Sequence, residues 1–343
     1  MKSTIDILKI VGIIFILLRH VGWYFDFSGN HLLPKIFVPM GELGVNIFLF
    51  CSSYGLTCSA INNNYFSLSN YWKKRFVRIY PLYILSLLLY TQFVYHISFS
   101  NFLAHAFFLH SFFLELSHNP DPLWYMGVLF QLYLLFPLLY RLIHAKTIYF
   151  WLVIASFYIL NYLIIYFINI SIPFELRLNS NVEDSSIFSY IVPVATGMYV
   201  ARYMSNSVFE SVTSMRNKYL LINILGLLVV LLYVFIKGSN YQSLYEGVKI
   251  IFPLISSFVI CSFIIWMKII DLNLYQNKIG IISSGVFCCY LFHEFYFYFI
   301  SAYITKSYMI TPVAICITII LSIYMQRGYN TTIKHIFRKS FYK

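Results

Sequence analysis

Charge is scarce in this chain: Asp and Glu together number 12 in 343 residues, and all charged residues amount to 10% against 60% hydrophobic ones. A soluble globular domain carries roughly a quarter of its residues charged, so that class is excluded. Strict apolar/polar alternation is also missing, which excludes a membrane β-barrel, whose strands alternate over about ten residues. No Pro/Ser-rich linker, low-complexity tract or obvious repeat divides the chain, and it reads as a single domain over 1–343 with a short basic tail at 327–343. The six cysteines (Cys51, Cys58, Cys261, Cys288, Cys289, Cys316) lie in apolar stretches without metal-ligand spacing, so they read as packing residues with no disulfide or metal role. A G-x-S-x-G motif is absent, which disfavours a serine triad. No small-residue cleavage site follows the first apolar segment, so that segment reads as a retained anchor.

What the chain has is apolar length. Stretches of about 18 to 23 residues, enough to span a bilayer, recur at 5–25, 43–61, 79–97, 123–143, 147–169, 187–204, 219–237, 249–270, 283–303 and 309–326. The expectation is an all-α, polytopic transmembrane bundle of ten helices, in direct contact with the lipid bilayer. The segment 99–116, FSNFLAHAFFLHSFFLEL, is apolar but short and holds two histidines; it reads as a re-entrant or interfacial helix. Positive residues flank cytoplasmic helix ends. With the N-terminus inside, seventeen of the 24 Lys and Arg fall on inner ends, five (Lys35, Arg177, Lys237, Lys249, Lys306) on outer ends, and Lys9 and Arg19 within the first span. Both termini are therefore expected in the cytoplasm. The net charge of +12 is spread over several inner loops with no nucleic-acid-binding motif, so no nucleic-acid partner is expected.

Ionisable residues inside spans are the candidates for chemistry, because lipid makes them costly. Lys9 and His20 lie in the first span, and eleven helical residues bring them to within roughly 20° of one face, about 16 Å apart along the axis. Each has a bland alternative: Lys9 snorkels to headgroups, and His20 bonds a neighbouring helix. Arg19 points about 100° away and snorkels outward or pairs with a second helix. At the inner mouth of the third span, KKRFVRIYPLY carries Lys74, Arg75 and Arg78; the two arginines, three apart, share a helix face suited to phosphate, or serve only as a topology anchor. GELGVNIFLFCSSYGLT supplies Asn46 and Ser52 among small residues that let helices pack closely. PLWYMGVLFQLYLLFP supplies Trp124, Gln131 and Tyr133, with Gln131 a polar group that needs a partner. In SSGVFCCYLFHEF, His293 and Glu294 are adjacent and cannot share a face; each reads as a site residue or as a helix-to-helix hydrogen-bonding group, the second preferred.

Taken in order, these segments resemble the acyltransferase-3 family of integral membrane acyltransferases. The family's opening Asp-x-Leu-Arg, followed after ten intervening residues by His, is met by Asp6, Leu8, Lys9 and His20, with Lys in the Arg position. Its Gly-Val-x-x-Phe-Phe-x-Leu-Ser-Gly-Phe segment is met loosely from Gly44 to Gly55, and its Arg-x-x-Arg-Ile/Leu-x-Pro by Arg75, Arg78, Ile79 and Pro81. Leu123, Trp124, Gln131, Tyr133, Leu134 and Pro137 match a further segment, and IVPVATGMYVAR and YLFHE look like later family patterns. The acidic residues often found just before Gln131 are here Leu129 and Phe130.

The resemblance implies a multi-pass enzyme of the bacterial inner membrane. It would take an acyl group, usually acetyl from acetyl-CoA, to a hydroxyl of an envelope carbohydrate such as an O-antigen, capsule or exopolysaccharide unit, free or lipid-linked. Acyl-CoA would be a donor substrate, with no tightly bound cofactor. His20 and Lys9 would be catalytic, and Arg75, Arg78 and Lys74 would bind the CoA phosphates. Asn46, Ser52, Glu115, Trp124, Gln131 and Tyr133 would bind substrate or support the site. His20 would act as general base or as an acyl-imidazole nucleophile, with an orienting carboxylate from Glu115, Asp121 or Glu42. The alternative is a transporter or flippase for a lipid-linked glycan, since intramembrane Lys and His also mark transport paths.

Overall fold

The computed structural model describes residues 2–27, 32–62, 67–111, 120–171, 186–203, 224–226, 228, 242–267, 273–304 and 306–337. Among the described residues every regular element is helical, and the one extended pairing is an isolated bridge between Asp26 and Ser307. The helices are α1 (Lys2–Tyr24), α2 (Leu32–Asn62), α3 (Leu68–Tyr90), α4 (Phe99–Ala106), α5 (Trp124–Ala145), α6 (Thr147–Ser171), α7 (Ile191–Tyr203), α8 (Gln242–Met267), α9 (Gln276–Ser284), α10 (Val286–Tyr303) and α11 (Thr311–Phe337). A π turn, Thr91–Tyr95, continues α3.

Among the described residues, six stretches are long and apolar enough to cross a membrane: Pro39–Asn62, Leu68–Tyr95, Trp124–Ala145, Thr147–Ile165, Ile250–Met267 and Tyr308–Ile333. Counting α9 and α10, bent by 52° at their junction, as one span gives seven. The protein is an all-helical membrane protein. Ten spans were expected, and the difference has local causes. α1 is a continuous helix but carries Asp6, Lys9 and Arg19. The stretch 187–204 forms a 3₁₀ turn and then α7, whose thirteen residues reach only about 20 Å, short of the roughly 30 Å hydrocarbon layer. Most of 219–237 lies outside the described residues. In the segment 99–116, α4 stops after eight residues and Phe108 adopts a φ of 59°, which no right-handed helix continues through. Phe99, Leu103 and Phe107 form an exposed stripe on it while Ala104, His105 and Ala106 are buried, the pattern of a helix with one face on lipid.

The chain divides into two compact units. One comprises Met1–Gly44, Phe66–His96 and Asp271–Lys343. In it α10 packs along α11, α1 and α3, and α1 also lies on α9. Leu8, Ile13, Ile16, Leu17 and Val21 form the buried stripe of α1, with the helical spacing that an apolar face requires. A Cβ added to Gly44 would stand 2.7 Å from the Gly12 carbonyl oxygen, so α1 and the first part of α2 approach backbone to backbone.

The other unit comprises Val45–Tyr65 and Ile97–Ile270. In it α6 packs on α5 and α7, and α8 on α7. Gly197 of α7 lies against Phe50 and Ser53, where an added Cβ would come within 2.4 Å of the Phe50 carbonyl oxygen. Gly55, by contrast, faces open space. The outward residues Ile159, Leu160, Leu163 and Ile164 of α6 are exposed, as suits a helix solvated by lipid rather than water.

Candidate active site

His20 and Tyr24 are one turn apart on α1 and so project from the same face. That face meets α10. His20 Nδ1 lies 2.5 Å from Glu294 Oε1, and the carboxylate is fully buried. The Tyr24 hydroxyl donates to the other oxygen, Oε2, at 3.0 Å, and the Tyr95 hydroxyl donates to the same atom. Tyr95 ends the π turn after α3, where Thr91 returns a hydrogen bond to the Leu87 carbonyl and His96 stops the helix in the left-handed region. A π turn inserts an extra residue and re-aims the side chains beyond it. Three groups therefore converge on one carboxylate. The two phenols donate to one carboxylate oxygen, and His20 Nδ1 stands beside the other.

His293 completes the cluster. Its ring meets the His20 ring edge to face, with centroids 4.7 Å apart, and Trp23 meets His20 in the same way at 4.7 Å. Adjacent residues on α10 point about 100° apart, which is why His293 and Glu294 read from sequence as unable to share a face. The helix-to-helix hydrogen bonds expected of Glu294 are present, from Tyr24 and Tyr95, and the His20 ring lies beside both residues. They need no common face because their shared partner comes from another helix.

His20, His293 and Glu294 offer ligand atoms within 4.8 Å of one another, a spacing that a metal ion could bridge. Two ligands of one tetrahedral Zn²⁺ stand about 3.3 Å apart, given bonds of about 2.0–2.1 Å. His20 Nδ1 and Glu294 Oε1 are closer than that, so as they stand the two atoms do not fit as joint ligands of one tetrahedral Zn²⁺.

The other expected site residues fall in separate places. Lys9 does not approach His20: its Nζ bonds Asp6 Oδ1 at 3.0 Å, and that same oxygen accepts from Ser283 Oγ at 2.7 Å. Arg19 faces Glu42 of α2 at 3.8 Å, the second-helix pairing expected as one option. Arg75 stacks over the Tyr71 ring at 4.7 Å, and Lys74 and Arg78 are exposed on α3. Asn46 is buried, and its Oδ1 has no hydrogen-bond partner among the described residues. Ser52 faces the Tyr125 hydroxyl. Gln131 Oε1 accepts from the Ile187 N–H at 2.9 Å, so its partner is the start of the 3₁₀ turn before α7. Trp124 packs against Tyr125 and Tyr190, and Tyr133 is half-buried on α5. Glu115 lies outside the described residues, and so does the side chain of Asp121. Among the described residues the carboxylate beside His20 is Glu294, while Glu42 faces Arg19.

The profile of the acyltransferase-3 family, an acyltransferase domain, matches residues 2–327. The chain belongs to that family. The protein is therefore a membrane acyltransferase, an enzyme that transfers acyl groups. No curated protein and no solved structure matches the chain. In this acyltransferase, sequence reasoning found His20 but missed the tyrosines around its carboxylate. Tyr24 carried a usable signal, the one-turn spacing from His20. Tyr95 carried none, since a tyrosine at the end of a span resembles any interfacial anchor.

Proposed function

We propose that this acyltransferase moves an acetyl group from acetyl-CoA in the cytoplasm to a hydroxyl of a cell-surface carbohydrate, an O-antigen, capsule or exopolysaccharide unit, across the bacterial inner membrane. The observation that carries the reading is the buried contact of His20 with Glu294. Glu294 beside Nδ1 would favour the Nδ1–H tautomer of His20, in which Nε2 carries the ring's lone pair. That nitrogen serves as general base on the acceptor hydroxyl or as the nucleophile that takes the acyl group.

Arg75, Arg78 and Lys74 would hold the phosphates of CoA by charge-assisted hydrogen bonds. With both termini in the cytoplasm, these residues stand at the inner mouth and Tyr95 at the far end of the same span, roughly 30 Å along the axis. Lys9, tied to Asp6, lies between these levels and would steady the donor's arm rather than meet the reacting carbonyl. The test uses purified protein in lipid nanodiscs with labelled acetyl-CoA and an isolated envelope glycan, wild type against His20→Ala. Label on the glycan from wild type and none from a correctly inserted variant is expected. Glycan that crosses the bilayer without gaining label would overturn the proposal.

A further inference from the structure

His293 is fully buried on α10, yet only one of its ring nitrogens is occupied. Nδ1 lies 2.7 Å from the Tyr290 carbonyl oxygen. A carbonyl only accepts, so Nδ1 carries the proton of the neutral ring and Nε2 is left as a bare acceptor. Nε2 has no hydrogen-bond partner among the described residues. An unpaired buried acceptor is costly, and such groups persist where the missing donor arrives with a ligand. The ring that carries this free lone pair stands 4.7 Å, edge to face, from the ring of His20.

We propose that His293 Nε2 is a second catalytic base, the one that takes the proton of the acceptor hydroxyl, and that His20 carries the acyl group. The inference rests on the transferase reading above and chooses between its two routes. In the first step His20 Nε2 bonds to the thioester carbonyl carbon, the carbon–sulfur bond breaks, and sulfur leaves with the electron pair as the CoA thiolate. An acylated His20 has no lone pair left to serve as base. In the second step the acceptor oxygen bonds to the acyl carbon while its proton passes to His293 Nε2, and the carbon–nitrogen bond breaks with its electron pair returning to His20 Nε2. The proton then leaves His293 to neutralise the thiolate, so thioester and alcohol become ester and thiol with nothing else consumed. The neighbouring Glu294 carboxylate offsets the charge that His293 gains in passing.

The test uses the full-length protein in nanodiscs with labelled acetyl-CoA and two probe acceptors. Glycerol is a weak nucleophile that needs a base, and hydroxylamine is a strong one that does not. His293→Asn keeps a donor at the Nδ1 position for the Tyr290 carbonyl and deletes Nε2; His293→Gln places an amide, which cannot take a proton, near the Nε2 position. Both variants should accumulate protein-bound label on rapid quench. Their transfer to glycerol should fall about a hundredfold, with transfer to hydroxylamine retained within about threefold. His20→Gln should show neither label nor transfer. Equal loss toward both acceptors, or no loss toward either, would overturn the role of His293. Wild type that forms no labelled protein while turning over would overturn the acyl-imidazole route. Wild type that releases no CoA at all would overturn the transferase reading itself, a result distinct from the others.

Discussion

His20 of α1 and Glu294 of α10 meet at 2.5 Å, imidazole Nδ1 to carboxylate Oε1, inside a helical unit assembled from the two ends of the chain. This closeness predicts that the carboxylate sets the imidazole's tautomer. Substituting the acid by its amide tests this directly. In Glu294→Gln the introduced amide donates to Nδ1, the proton moves to Nε2, and the reactive lone pair is lost. Turnover of acyl-CoA should fall by about 10²–10⁴-fold with donor binding unchanged. A variant within threefold of wild type would remove the tautomer argument.

The two phenols act on stability as well as geometry. Tyr24→Phe and Tyr95→Phe each remove one donor from the same buried oxygen. Each should cost about 1.5–3 kcal/mol, the range for hydrogen bonds to a charged group. Because both bond one atom, the double variant should depart from additivity by at least 0.5 kcal/mol or so. Thermal unfolding of the three variants in detergent measures both quantities.

Packing in the other unit makes a separate prediction. Gly197→Val would drive a Cβ into the Phe50 carbonyl and the Ser53 hydroxyl, and a backbone atom cannot swing aside. A loss of about 1–3 kcal/mol or more is expected. Gly55→Ala, where the added Cβ meets open space, should leave the unfolding midpoint within a degree or two and serves as the control.

His110, in the 3₁₀ turn after α4, stacks on His105 with ring centroids 4.0 Å apart. Burial pushes it down to about 4, partly opposed by backbone groups of Trp124, Ala104 and Leu123. Between that value and the ordinary 6.5 the unfolded chain binds the extra proton and the folded one does not. Stability conferred by the neutral ring is therefore complete above pH 6.5 and drains as pH falls toward 4, by at most about 1.4 kcal/mol per pH unit. Unfolding midpoints at pH 7.5, 6 and 5 should decline in wild type and decline less in His110→Leu. Parallel slopes would contradict the assignment.

Arg75→Ala with Arg78→Ala should weaken acetyl-CoA binding by tenfold or more. The residual affinity should depend less on salt, as expected when phosphate contacts are removed. Equilibrium binding at two ionic strengths decides it, and unchanged affinity in a correctly inserted variant would release these residues to a purely topological role.

The helical class and the membrane setting were legible from composition and apolar length, and the cost of an imidazole in lipid marked His20 as a candidate. The span count was less so, because apolarity measures length and not breaks. Phe108 turns the chain after α4, and the bend before Val286 splits a stretch that reads as continuous. Lys9 shares a face with His20 about 16 Å along the axis, but nothing in the pattern marked Asp6, one turn away, as the group that holds it. Gln131 announced that it needed a partner without saying that a backbone N–H at Ile187 would supply one. Glu294 was visible as a costly buried acid; its partner, contributed by the opposite end of the chain, was not.

The 52° bend between α9 and α10 has α1 lying along both arms. Asp6 grips one arm through Ser283, and His20 grips the other through Glu294. A straight rod pinned on either side of an elbow sets its angle, so α1 works as a splint. Loosening the pin at Asp6 would let the far arm swing, and the imidazole about 21 Å along the rod would feel it.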